Sequence, residues 1–121
     1  RQAVNAWSGF SSRFPDSDYR AEVEEKLVEC RRRLAKKELD IARFYVRRAA
    51  WPAVEGRAQG LVETWPESPF VPASLELLAE AHAWQGNAEA AAAILAKLRE
   101  VDPERAERAT DKVDRAEPED A

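Results

Sequence analysis

Residues able to do chemistry are few in this chain, and they are scattered. His82 is its only histidine and Cys30 its only cysteine. They are too far apart in sequence to form a local motif, and each falls on an apolar helical stripe where a packed imidazole or thiol is the simpler reading. The sequence has no CxxC pair, metal-ligand spacing, glycine-rich phosphate loop or nucleophile elbow. Its 23 acidic residues spread over polar positions, whereas acid–base catalysis needs carboxylates set against apolar walls. The expectation is a non-enzyme with no catalytic residues, no metal and no cofactor. A lone cysteine excludes an intramolecular disulfide and leaves the redox compartment open. The net charge of −4 argues mildly against general nucleic-acid binding and says nothing of a local basic face, which leaves the charged and aromatic side chains to be followed.

Those side chains must be positioned by helices. Three proline corners, Phe14-Pro15-Asp16-Ser17, Trp65-Pro66-Glu67-Ser68 and Val101-Asp102-Pro103-Glu104, close three segments of similar composition. Anchoring on Pro103 and stepping back through a tetratricopeptide unit, a pair of antiparallel helices about 34 residues long, places Leu75, Leu78, Ala79, His82, Gly86, Ala91, Leu95 and Leu98 in frame. That order has a packing logic: small residues let two helices approach, large ones fill the seam, and glycine supplies the positive φ of the turn. Anchoring on Pro66 gives Ile41, Ala42, Tyr45, Ala49, Val54 and Leu61, with Ala58 where a larger residue is usual. Anchoring on Pro15 recovers only a second helix, with Ala3, Trp7 and Phe10, so the chain reads as starting inside a repeat and as the C-terminal half of a longer protein. No apolar run resembles a signal peptide or a membrane-spanning helix.

The interval from Pro66 to Pro103 is 37 residues, one repeat plus a short insertion at Ser68-Pro69-Phe70, but the interval from Pro15 to Pro66 is 51. The stretch from Asp18 to Arg48 contains neither glycine nor proline. It predicts one continuous helix over about 18–48, on the order of 45 Å long at about 1.5 Å per residue. Two apolar stripes run along it. Val23, Leu27, Cys30, Leu34, Ile41 and Tyr45 form one; Val28, Ala35, Leu39, Ala42 and Val46 form the other, so neighbours are expected on both sides. Acidic residues crowd its start and basic residues its end, which complements the helix dipole.

The run from Cys30 to Trp51, with Leu34-Ala35, Glu38, Ala42, Phe44-Tyr45 and Arg48-Ala49-Ala50-Trp51 at these intervals, resembles the long-helix segment of the BamD family. This family comprises lipoprotein subunits of the outer-membrane β-barrel assembly machinery. The stretch from Ala53 to Ser68 resembles that family's next helix, where Tyr-Pro is more usual than Trp-Pro. The resemblance covers roughly residues 1–103; the N-terminal repeats and the lipid-bearing cysteine have no counterpart in this sequence. It implies a scaffold in outer-membrane protein assembly at the periplasmic face of the outer membrane, anchored by a lipid outside this stretch. Its implied partner is a periplasmic domain of the barrel-forming insertase subunit, with accessory assembly lipoproteins and unfolded outer-membrane proteins as further candidates and no nucleic acid.

The positions carried over by the resemblance are Arg43, Arg47, Arg48, Glu55, Arg57 and Glu63, with Arg57 first. A guanidinium offers a planar fork of donors suited to a partner carboxylate. The plainer alternative for Arg57 is a solvated arginine within reach of Glu55 or Gln59. Trp51 joins the set as a hot-spot type of residue, though an aromatic at a hairpin corner more often plugs the joint, and Phe70 is open to the same two readings. The basic run Arg31-Arg32-Arg33 with Lys36-Lys37 invites an anionic partner. Three consecutive residues, however, span about 200° of helical arc, and Glu29 stands four residues before Arg33 as an ion-pair partner, so a supporting electrostatic role is expected.

After Pro103, Asp102 can cap and Pro103 can begin a helix with a thin stripe of Ala106, Ala109 and Val113. Residues 104–121 are expected to form a polar capping helix and a disordered charged tail, following a repeat domain over 1–103. The reading is an all-α, right-handed solenoid of tetratricopeptide-like helical hairpins with one extended helix. The alternative function is a peptide-binding repeat module of another periplasmic cell-envelope coordinator or chaperone.

Overall fold

The computed structural model describes residues 17–118. The half-repeat expected around Ala3, Trp7 and Phe10 lies outside the described residues. Within them the chain forms five α-helices and no strand: α1 (Ser17–Arg47), α2 (Trp51–Thr64), α3 (Val71–Trp84), α4 (Ala88–Val101) and α5 (Pro103–Arg115). The long helix is continuous over 31 residues. The architecture is all-α, built of antiparallel tetratricopeptide-like helix pairs.

Helix α1 ends in a reverse turn that is repeated at the end of α3. Ala50 N–H donates to Tyr45 O at 3.0 Å and Ala49 N–H to Val46 O at 2.9 Å; one unit later Asn87 N–H donates to His82 O at 2.9 Å and Gly86 N–H to Ala83 O at 3.0 Å. Both are the paired bonds that satisfy the last carbonyls of a helix through one left-handed residue. That residue is Gly86 at φ 81° in the second unit and Ala49 at φ 54° in the first, so the first turn forms despite the strain a Cβ introduces there. Proline lies in the first turn of α2, α3 and α5, where its missing donor has no helical partner to lose. Asn87 caps α4 by accepting from Ala90 N–H at 3.3 Å, and Asp102 caps α5 by accepting from Arg105 N–H at 3.1 Å.

The apolar interior is in two parts that share α3. Ala35, Leu39 and Ala42 of α1 pack with Val54, Ala58 and Leu61 of α2 and with Ala73, Leu77, Leu78 and Ala81 of α3. On the opposite side, Leu75 and Ala79 of α3 pack with Leu95 and Leu98 of α4 and with Ala106 and Ala109 of α5. Every residue from Ala73 to Ala79 is consequently buried, the signature of a helix enclosed on all sides. Ala58, small where the repeat pattern favours a large residue, leaves room for Ser74, whose buried hydroxyl donates to Ala58 O at 2.9 Å and joins α2 to α3.

Burial along α1 changes stripe midway. Val23 and Leu27 of the first stripe are buried, and then Ala35, Leu39 and Ala42 of the second take over. Neither stripe is covered throughout: Val28 is 62% exposed and Ile41 is half-exposed. Cys30 is half-buried and free.

Candidate functional site

The expected docking residues fall into two groups on different sides of α1. The first gathers where α1, α2 and α3 meet. Arg57 on α2 donates through Nη1 to both carboxylate oxygens of Glu38 on α1, at 3.1 and 3.4 Å. Its side chain is 45% exposed, and its Nε and Nη2 donors have no partner among the described residues. The expected neighbours are engaged elsewhere. Gln59 donates to Glu63 Oε1 at 2.7 Å, and Glu55 Oε1 accepts from Gln85 Nε2 at 2.9 Å and stands 3.6 Å from His82 Nδ1. The reason is helical geometry: positions two residues either side of Arg57 lie about 200° around α2 from it, because a residue faces those three and four away.

Glu55 and Arg57 therefore hold α2 from its two sides, one to the end of α3 and the other to α1. Trp51 reinforces the corner. Its ring is half-buried and stacks on Trp84 with centroids 5.6 Å apart and planes 3° from parallel, an arrangement that favours plugging the joint over free presentation to a partner. Phe70, at the N-cap of α3, is also half-buried, with the Arg32 guanidinium 6.0 Å from its centroid.

The second group lies on the outer face of α1. Arg43 approaches Asp40 at 4.0 Å, the Arg48 guanidinium sits 4.1 Å over the Phe44 ring, and Arg47 lines an open groove along the helix with Lys36, Lys37 and Phe44. Arg33, paired with Glu29 at 3.0 Å as the four-residue spacing predicts, lies on the same face. Arg32, one position earlier, turns instead toward Phe70, which is the divergence expected of consecutive helical residues.

One functional-looking cluster escaped sequence reasoning. Glu76, with its side chain 7% exposed, accepts from Arg105 Nη1 at 3.0 Å and Lys112 Nζ at 2.6 Å, both on α5. A glutamate in the midst of an apolar helix paired with two cations about 30 residues downstream leaves no local spacing signal, although its position between Leu75 and Leu77 is itself a warning. The cluster joins α5 to α3, with two cations neutralising one buried carboxylate. Among the described residues no set of three or more histidine, cysteine or carboxylate side chains is placed to hold a metal, and no helix is long and apolar enough to cross a membrane.

Residues 1–98 match the family described as outer membrane lipoprotein, YfiO. Among curated proteins, the outer membrane protein assembly factor BamD of Xylella fastidiosa (strain Temecula1) is 37% identical over 87 residues, 72% of this chain and 30% of that protein. The proteins of the same name from Neisseria meningitidis serogroup A and Haemophilus influenzae are 32% identical over 92 residues and 31% over 86, covering 76% and 71% of this chain and 34% and 33% of theirs. The chain thus spans about a third of the length of the curated relatives it matches. No solved structure matches it at comparable stringency.

Proposed function

The chain belongs to the YfiO/BamD family of outer membrane lipoproteins, and from that premise we propose that it is a non-catalytic scaffold segment in outer-membrane β-barrel protein assembly. It works at the periplasmic face of the outer membrane, its docking partner is a periplasmic domain of the barrel-forming insertase subunit, and the surface used is the exposed side of the α1–α2–α3 joint around Arg57.

The observation that carries this reading is the half-satisfied guanidinium of Arg57. One nitrogen is spent on Glu38, which holds the side chain across two helices, while the other donors have no partner among the described residues. An arginine held in place in this way loses less side-chain entropy on binding than a free one, and it offers the planar donor geometry that suits a carboxylate. The stitching of α2 to α3 through Glu55 and Gln85 and through the Trp51–Trp84 stack supports the same role, because a scaffold must hold its contact residues at a fixed angle. Glu63 is tied to Gln59 further along α2 and lies about 120° around that helix from Arg57 at about 3.6 residues per turn, so it takes no part in the surface around Arg57. The names of the relatives, assembly factors in each case, agree with a function exercised through contacts rather than turnover.

The test is calorimetric titration of the chain with the membrane-proximal periplasmic domain of the barrel-forming subunit from the same organism. Wild type is expected to bind saturably, and Arg57→Ala to weaken binding about tenfold, the effect of losing one interface arginine worth about 1.4 kcal/mol. Because Arg57 is exposed, the circular dichroism spectrum should be unchanged. Equal affinity of the two proteins would remove Arg57 from the interface, and absence of binding by the folded wild type would remove the insertase domain as partner.

A further inference from the structure

The outer face of α1 carries a feature that the docking of α2 does not use. From Arg33 to Arg47, a span of about 21 Å at about 1.5 Å per residue, a shallow, open groove formed by side chains of α1 alone is lined by Arg33, Lys36, Lys37 and Arg47, with Ile41 and Phe44 between them. Phe44 is 39% exposed, and the Arg48 guanidinium over its ring adds a fifth cation to the rim. The single carboxylate in the groove, Asp40, already meets Lys36 at 3.1 Å and Arg43 at 4.0 Å. Arg33 is paired with Glu29, but Lys37 and Arg47 have no anionic partner among the described residues. This excess of positive charge stands on a chain whose net charge is −4, and it surrounds an exposed aromatic ring.

We infer that this groove is a docking site for an acidic segment of a partner protein, one that lays carboxylates along α1 and inserts an aromatic or large aliphatic side chain over Ile41 and Phe44. Charge complementarity identifies the occupant. The cations are strung along the helix axis and do not converge on one point, so they match charges repeated along a polypeptide and fit a single phosphate or headgroup poorly. The apolar side chains between them add the buried anchor that turns electrostatic steering into a lasting contact. The site is separate from the Arg57 surface: Glu38, which tethers Arg57, lies about 120° around α1 from Phe44 at about 3.6 residues per turn. Both surfaces can therefore be occupied together.

The experiment uses the full 121-residue chain and a fluorescently labelled peptide of repeated Glu-Glu-Phe units, read by anisotropy. Controls are a repeated Glu-Glu-Ser peptide and phosphatidylglycerol vesicles. The expected result is saturable binding of the Glu-Glu-Phe peptide that falls about tenfold between low and physiological salt. Lys37→Glu combined with Arg47→Glu should weaken it by at least about tenfold, Phe44→Ala by about threefold, and Arg57→Ala not at all. Lys37 and Arg47 break no internal ion pair when reversed, but Arg47 stands in the last turn of α1, so an unchanged circular dichroism spectrum and melting temperature of the double variant are required for loss of binding to count. Equal binding by the charge-reversed protein, or equal binding of the Glu-Glu-Ser peptide, would overturn the proposal. Vesicle binding without peptide binding would assign the groove to a membrane, and concentration-dependent self-association abolished by the charge reversal would assign it to a second copy; either result also overturns it.

Discussion

At the scale of single residues, stability depends on how the buried charge of Glu76 is met. A carboxylate with 7% exposure is tolerated in a helix interior only because Arg105 and Lys112 supply charge and donors. Glu76→Ala is expected to lower the unfolding free energy by about 2 kcal/mol, a value typical of hydrogen bonds to a charged group plus lost packing, as measured by urea denaturation. Lys112→Ala should cost under about 1 kcal/mol, since that ammonium is 46% exposed and Arg105 would still neutralise Glu76. Similar small effects for both would mean that the buried carboxylate does not hold α5 in place. The sequence made the Glu29–Arg33 pair legible through four-residue spacing, and it singled out Arg57 as a candidate only through family resemblance. It did not disclose the partner of Arg57, because Glu38 sits on another helix, and contacts across helices leave no trace in local periodicity. Glu76 was hidden for the same reason.

At the scale of elements, the two left-handed helix ends make a matched comparison. Ala49 and Gly86 occupy equivalent turns, with the same pair of backbone hydrogen bonds behind each. Ala49→Gly should raise stability by about 1 kcal/mol, because glycine adopts positive φ without the Cβ clash, and Gly86→Ala should lower it by about as much. A Cβ at Gly86 would meet only Pro118 at ordinary contact distance, so the cost there is conformational and not steric. Thermal melts of both variants test this; a destabilised Ala49→Gly would contradict it. The extended helix was legible because an absence of glycine and proline over Asp18–Arg48 leaves nothing to stop it. The change of buried stripe along it was not. Both stripes are apolar in sequence, and α2 and α3 cover only Ala35, Leu39 and Ala42 of the second. Nothing in the local spacing says where along the helix that contact begins.

At the scale of the whole molecule, α3 is the shared wall between two apolar clusters, and the 31-residue α1 packs against one side of it through Ala35, Leu39 and Ala42. The fold class could be read from the large and small residues that fall into a helix-pair frame when stepped back from Pro103 and from Pro66. The division of the charged residues into two surfaces could not, because it depends on the angle at which α1 meets α2. The surface around Arg57 and Glu38 is the one proposed to engage the barrel-forming subunit. The most direct test is amide hydrogen exchange of the chain with and without the membrane-proximal periplasmic domain of that subunit. Added protection over Trp51–Thr64 and the adjoining part of α1, with α4 and α5 unchanged and with the effect reduced in Arg57→Ala, is the predicted result. Protection confined to α4 and α5, or no change at saturating partner, would contradict it.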